Sequence, residues 1–295
     1  MRIPSDLPPR QPRPRGKSGK GGRSRRRLRI ALAVLAGVLL VVSLLARAVA
    51  FAYTDWLWFD EVGLRQVFRG VWGTQVGLAL AFWLAAFALL WVNMWLADRL
   101  AARAPLPGPH DEIALRYRQV AGTRPLLIRT AASAVFAFIA LPNAASQWQK
   151  WLLFRNSSSF GTKDPQFGTD ISFFVFRLPF LRFLVTWSFA ALAIAVVVTI
   201  AAHYLAGGIR LQVPTERKVA SAVKAHVSVL LGLLALAKAV DYWFGRYELV
   251  YSTRGEVLGA SYTDVKATLP ALELLVWVSI AAAVLLLFNI WRRGW

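Results

Sequence analysis

Long, nearly unbroken apolar runs set the plan of this chain. The run from Ile30 to Val49 holds twenty residues, and at about 1.5 Å per helical residue it reaches roughly 30 Å, the thickness of a bilayer's hydrocarbon core. The same length criterion predicts spans at 71–97, 126–145, 183–205, 227–244 and 269–290. The apolar positions do not alternate as those of a half-solvated strand would. The predicted fold class is therefore all-α, a polytopic transmembrane helix bundle of about six spans. The third span is the most interrupted, with Arg129 near one end and Pro142 near the other. Neighbouring helices can satisfy the carbonyl that such a proline frees.

Three stretches between the runs mix aromatic, acidic and turn residues and are too short to span. Tyr53 to Phe68 alternates aromatic and acidic residues and predicts a short helix lying in the headgroup layer. Asp164 to Pro179 opens with the turn pairs Asp164-Pro165 and Phe167-Gly168 and ends in a run of Phe, which predicts an interfacial or re-entrant segment. Arg246 to Glu256, with Tyr262 to Asp264, is the third. Their charged side chains, Asp55, Asp60, Glu61, Asp164, Asp170, Arg254 and Asp264, form a candidate docking face.

Charge gives the bundle a direction. Of 35 Lys and Arg, eleven lie in residues 1–29, ending in the dense run Arg23 to Arg29. Such a leader predicts a disordered cytoplasmic tail over 1–29, with domain 30–295 as the membrane part and its first span running outward at the plasma membrane. Segments assigned to the inside then carry 23 Lys and Arg against ten outside. Trp residues gather near both predicted interfaces, for example Trp56 and Trp58 outside and Trp91 and Trp95 inside. The tail is also placed to attract anionic lipid, at about 1 kcal/mol per charge. A net charge of +20 would suit a nucleic-acid binder, but the aromatics that would stack on bases sit in the spans, so no nucleic-acid partner is expected. Ser24 to Leu28 loosely resembles a twin-arginine signal, and Ala48 to Ala50 offers small residues for cleavage. Against cleavage stand the length of the run and Arg47 beside the site. Gly16-Lys17-Ser18 lacks the preceding glycine and strand of a phosphate loop. The chain has no cysteine, which removes disulfides, thiol catalysis and thiolate metal sites.

Candidate chemistry inside the spans is sparse. Lys238 and Asp241 lie three apart on the fifth span, hence on one helical face. Alone, each would cost about 2.5–3.5 kcal/mol at mid-membrane; together they read as an internal ion pair or as an ion relay. Glu273 follows Pro270, where a carboxylate suits a helix start, or it meets Lys238 across the bundle. These three form the candidate intramembrane polar site. His203 and His226 fall at the same level, but a metal would need a further ligand, so no metal or cofactor is expected. No protease or hydrolase motif is present, so no enzymatic activity is expected. Gly73 and Gly77 carry the spacing that permits close helix packing.

Trp56 to Phe59 with Glu61-Val62-Gly63, Asp164 to Gly168 with Phe176 to Phe180, and Tyr251 to Gly255 with Ala260 to Asp264 resemble uncharacterised protein family 0182 of bacterial membrane proteins. The resemblance covers residue 30 to Trp295. It implies a multi-pass plasma-membrane protein whose full-length members have seven spans followed by a large extracytoplasmic domain, and it supplies no site residues. Two functions remain open. One is an anchor or scaffold for an extracytoplasmic domain with a cell-envelope role. The other is a transporter or ion-coupled permease using Lys238, Asp241 and Glu273.

Overall fold

A computed structural model describes residues 20–101, 124–139, 144–209, 219–256 and 258–292. Among them the only β-pairing is two isolated bridges, Lys163 with Asp170 and Ile209 with Val219, and the all-α expectation holds. The basic residues 1–19, His110 and Pro142 lie outside the described residues. The chain forms two compact units, residues 1–69 and 70–295.

In the first unit, helix α1 (Lys20–Glu61) extends past the expected span at both ends. It takes in the run Arg23 to Arg29, in keeping with the good helix propensity of Arg and Leu. Tyr53 to Phe68 is not a separate helix. It comprises the last turns of α1, a turn at Gly63 and the start of α2 (Arg65–Ala101). Gly63 takes φ +75°, its N–H reaches Asp60 O (3.0 Å) and the Leu64 N–H reaches Phe59 O (2.8 Å), the paired bonds of a glycine-terminated helix. Asp60 and Arg65 close a two-pronged ion pair across this turn.

The second unit holds the rest of α2 with α3 (Pro125–Ile139), α4 (Trp148–Arg155), α5 (Leu178–Leu205), α6 (Ser221–Glu248) and α7 (Leu269–Arg292). Among the described residues, four helical stretches are long and apolar enough to cross a membrane: Arg65–Leu100, Phe173–Leu205, Ser221–Tyr251 and Asp264–Ile290. They coincide with the expected second, fourth, fifth and sixth spans. Within the expected third, 126–145, the described residues hold the 15-residue helix α3, about 22 Å long.

Packing fixes the directions. Arg129, Thr130 and Ser133 of α3 reach Asp98, Trp91 and Met94 of α2, so these helices are antiparallel. Phe82 of α2 meets Phe183 and Trp187 of α5 edge-on, and Ala86, Leu90 and Met94 bury against Ala137, Ala195 and Val198. Helix α6 runs back between α5 and α7. At Gly232 an added Cβ would lie 3.1 Å from Leu287, so α6 and α7 approach closely there; at Gly73 and Gly77 of α2 no described residue beyond the helix's own backbone comes within 4 Å of an added Cβ.

The first turns leading into α5 and α7 depart from expectation. The helix begins at Ile171, passes through a π turn at Phe173–Arg177 and continues into α5, so the Phe run opens a long helix instead of forming a separate interfacial segment. Likewise the helix begins at Tyr262, passes through a π turn at Asp264–Thr268 and continues into α7. Glu273 therefore lies well inside a continuous helix and caps nothing. Each π turn ends at a Leu-Pro pair, Leu178-Pro179 and Leu269-Pro270. A proline ring collides with the carbonyl four residues back in an α-helix, and widening the turn moves that carbonyl away.

Candidate functional site

The polar groups converge where α5 and α7 begin and α6 ends. Asp170 caps the helix start that leads into α5: its Oδ1 accepts from Ser172 N–H (2.8 Å), the second helical residue. Its other contacts come from the Ser159 hydroxyl (2.5 Å), Phe160 N–H (3.2 Å) and Gly161 N–H (3.0 Å), so one carboxylate ties both ends of the loop together. The start that leads into α7 carries a reciprocal cap. Ser261 Oγ accepts from Asp264 N–H (3.2 Å), and Asp264 Oδ2 accepts from Ser261 N–H (3.2 Å). Asp264 is 1% exposed and also accepts from the Ser252 and Ser261 hydroxyls (2.7 and 2.9 Å), with Arg254 at 3.6 Å. Asp164 turns inward as well, accepting from Gln166 and Phe167 N–H (2.9 and 2.7 Å). That turn aims the Phe167 ring at Tyr247 of α6, 4.9 Å between centroids.

Of the seven proposed docking side chains, Asp164, Asp170 and Asp264 thus hold loops and caps. Arg254 leans on Asp264 and Asp60 on Arg65, whereas Asp55 and Glu61 are exposed.

Hydrogen bonds to the ionised form, from the Ser159 hydroxyl first and then Ser172 and Phe160, hold the Asp170 carboxyl well below the usual carboxylate range. A depressed pKa means that its contribution is whole above the unfolded value, about 3.9, and fades as pH falls toward the folded value. Limited proteolysis of the 156–170 loop is expected to stay slow down to about pH 4 and to accelerate below it. In Asp170→Asn cleavage is expected to be fast and flat with pH.

Two adjacent residues just past the end of α6 grip both of these helix starts. Ser252 bonds Asp264 ahead of α7, and the Tyr251 hydroxyl donates to Phe174 O ahead of α5 (2.5 Å). In the π turn the Leu178 N–H serves Phe173 O, and the carbonyl of Phe174 would take the next N–H, which Pro179 lacks. Tyr251 supplies the donor instead. Tyr251→Phe is expected to lower stability by about 1–2 kcal/mol, and Tyr251→Phe with Pro179→Ala by less, in detergent melts.

Deeper in, the candidate pair is a larger network. Lys238 Nζ lies 2.5 Å from Asp241 Oδ2, as the spacing implied. Arg182 of α5 donates to Asp241 Oδ1 (2.6 Å) and to its backbone carbonyl (2.8 Å). Its Nε sits 2.8 Å from Glu248, an ion pair without hydrogen-bond alignment. Glu273 does not meet Lys238; it pairs with Arg246 (2.9 Å), which also stacks on Trp243. Sequence reasoning missed Arg182, one residue outside the span expected to begin at Phe183, along with Arg246 and Glu248.

At the opposite end of α5 and α6, His203 Nε2 lies 3.1 Å from His226 Nδ1, and His226 Nε2 lies 3.0 Å from Asn93 Oδ1. Asn93 Nδ2 donates to Leu89 O (2.6 Å), which leaves its oxygen as the acceptor. His226 Nε2 therefore carries the proton, and in the neutral pair His203 Nε2 donates to His226 Nδ1. Asn93 and His226 also face a cleft of about 760 Å³ whose other walls include Leu96, Leu100 and Leu233. Among the described residues no three His, Asp or Glu gather as metal ligands.

Residues 31–295 match the sequence model described as Uncharacterised protein family (UPF0182). The chain belongs to this family. It is 41% identical to a UPF0182 protein of Salinispora tropica over 92% of its own length and 28% of the relative's. It is 44% identical to one of Frankia casuarinae, again over 92% of its length, covering 27% of that relative. With a Streptomyces coelicolor relative it shares 36% identity over 96% of its length and 28% of the other. The chain thus spans little more than a quarter of these UPF0182 proteins. No solved structure matches it.

Proposed function

We propose that this UPF0182 chain is the membrane anchor and scaffold of a longer polypeptide, orienting an extracytoplasmic domain at the bacterial plasma membrane in a cell-envelope role. Its N-terminus lies in the cytoplasm, where the basic leader meets anionic lipid. The observation that carries this reading is the internal closure of the polar groups. Lys238, Asp241, Arg182 and Glu248 pair with one another, and Arg246 pairs with Glu273. Asp164, Asp170 and Asp264 stiffen the ends of α5, α6 and α7. A scaffold needs such rigid ends, while a transport path needs polar groups left free for its cargo.

The test is complementation of a strain lacking the full gene. Residues 1–295 alone are expected to fail and the full-length protein to succeed; rescue by 1–295 overturns the anchor reading. A permease is the second reading, favoured by the presence of Lys238 and Asp241 within an apolar helix. Full-length Lys238→Leu/Asp241→Leu at normal protein level is expected to complement, and its failure would favour transport.

A further inference from the structure

The segments that open α5 and α7 match at a constant offset of 91 residues. Cap Asp170 corresponds to Ser261, the π turn Phe173–Arg177 to Asp264–Thr268, and Leu178-Pro179 to Leu269-Pro270. Leu181 corresponds to Leu272 and the buried Val185 to the buried Val276. At one matched position the charge is opposite: three residues after each proline stands Arg182 in α5 and Glu273 in α7. Both side chains turn to α6, and each finds its complement there, Arg182 at Asp241 and Glu248, and Glu273 at Arg246.

We propose that α5 and α7 open with two copies of one helix-start module, and that the opposite charges of Arg182 and Glu273 form a key that assigns each copy to its own side of α6. The two starts share a backbone course and the Leu-Pro-x-Leu pattern but differ in bulk, with Phe173, Phe174 and Phe180 standing where α7 has Asp264, Val265 and Ala271, so charge acts alongside side-chain packing in telling the two sides of α6 apart. Complementary charge discriminates through the wrong arrangement, because exchanging the copies would set Arg182 against Arg246 and Glu273 against Asp241 and Glu248. Transporters also place interrupted helices at matched positions of two repeats, around their substrate. Here the matched charges face partners on α6 rather than a cleft, so the pairing acts within the bundle.

The test uses the absence of native cysteine. Gly245 and Leu272 sit face to face near the key, with 3.9 Å between an added Cβ on Gly245 and the Leu272 side chain. In Gly245→Cys/Leu272→Cys a short bifunctional maleimide reports whether α6 and α7 are in register. Arg246→Glu and Glu273→Arg are each expected to lower cross-linking in membranes by about fivefold, and the two together to restore it. Arg182→Glu with Glu273→Arg, which leaves both sides mismatched, is expected to lower cross-linking further than either alone. Single variants that cross-link like the parent, or an Arg246→Glu/Glu273→Arg double no better than its worse single, overturn the proposal. Since that double conserves composition, its recovery also separates pairing from simple failure to insert.

Discussion

Asp241→Leu alone will destabilise the second unit far more than Lys238→Leu/Asp241→Leu. Asp241 stands between two cations, with Lys238 at 2.5 Å and Arg182 at 2.6 Å, and its side chain is 20% exposed. Removing the carboxylate leaves Lys238 and Arg182 with Glu248 alone. Breaking a fully buried pair from one side costs about 3–5 kcal/mol, and partial exposure here brings the expectation to about 2 kcal/mol. The double variant removes one charge of each sign and leaves Arg182 with Glu248 at 2.8 Å, so its cost should be less than about 1 kcal/mol. Lys238→Leu alone should fall between, because Lys238 is 40% exposed and rests over the Tyr242 ring, a contact that leucine's bulk partly replaces. Detergent melts of the three variants read the order directly. A double variant as unstable as Asp241→Leu would mean that the network holds the fold through more than charge balance.

That network shows where sequence reasoning reached its limit. The spans were legible because twenty apolar residues in a row have few stable fates, and α2, α5, α6 and α7 lie close to where length alone put them. The pairing of Lys238 with Asp241 was legible too, since three residues along a helix place two side chains on one face. Arg182 was not, because it joins them from 59 positions away and because hydropathy drew the span's edge one residue after it. Asn93 was hidden in the same way: a lone amide in an apolar run gains meaning only when a histidine 133 positions on arrives beside it.

At the outer loops the structure adds a local role that charge alone did not suggest. Asp164, Asp170 and Asp264 sit in turn and cap patterns, Asp-Pro-x-x-Gly, Asp-x-Ser and Ser-x-x-Asp, whose local hydrogen bonds consume the carboxylate. Those patterns were in the sequence, and their chemistry argued for an inward role before any surface was considered. The duplicated Leu-Pro-x-Leu with its charged successor was equally visible. It carried no weight until two π turns showed that both copies do the same mechanical work.

Asp264→Ala is expected to be the most damaging single change at these helix starts. The side chain is sealed from solvent and accepts from the Ser261 N–H, the Ser261 and Ser252 hydroxyls and, more weakly, Thr268 at 3.4 Å. Alanine takes away the acceptor those half-buried donors share, uncaps the helix that becomes α7 and frees the segment after α6 that Ser252 holds. The melting midpoint in detergent should fall by about 5 °C or more. Proteolysis should move to the 252–260 segment, whose turn at Gly259 (φ +121°) depends on the Gly259 N–H reaching Ser252 O at 2.9 Å. Asp264→Asn keeps one acceptor oxygen but points an amide donor at other donors, so an intermediate loss is expected. Ser261→Ala removes one half of the reciprocal cap and should cost less than either. Arg254→Ala, which strips only the exposed partner at 3.6 Å, should leave the midpoint unchanged. If Asp264→Ala instead melts like the parent while the full-length protein loses its envelope phenotype, the carboxylate belongs to a docking surface and the cap is incidental to the fold.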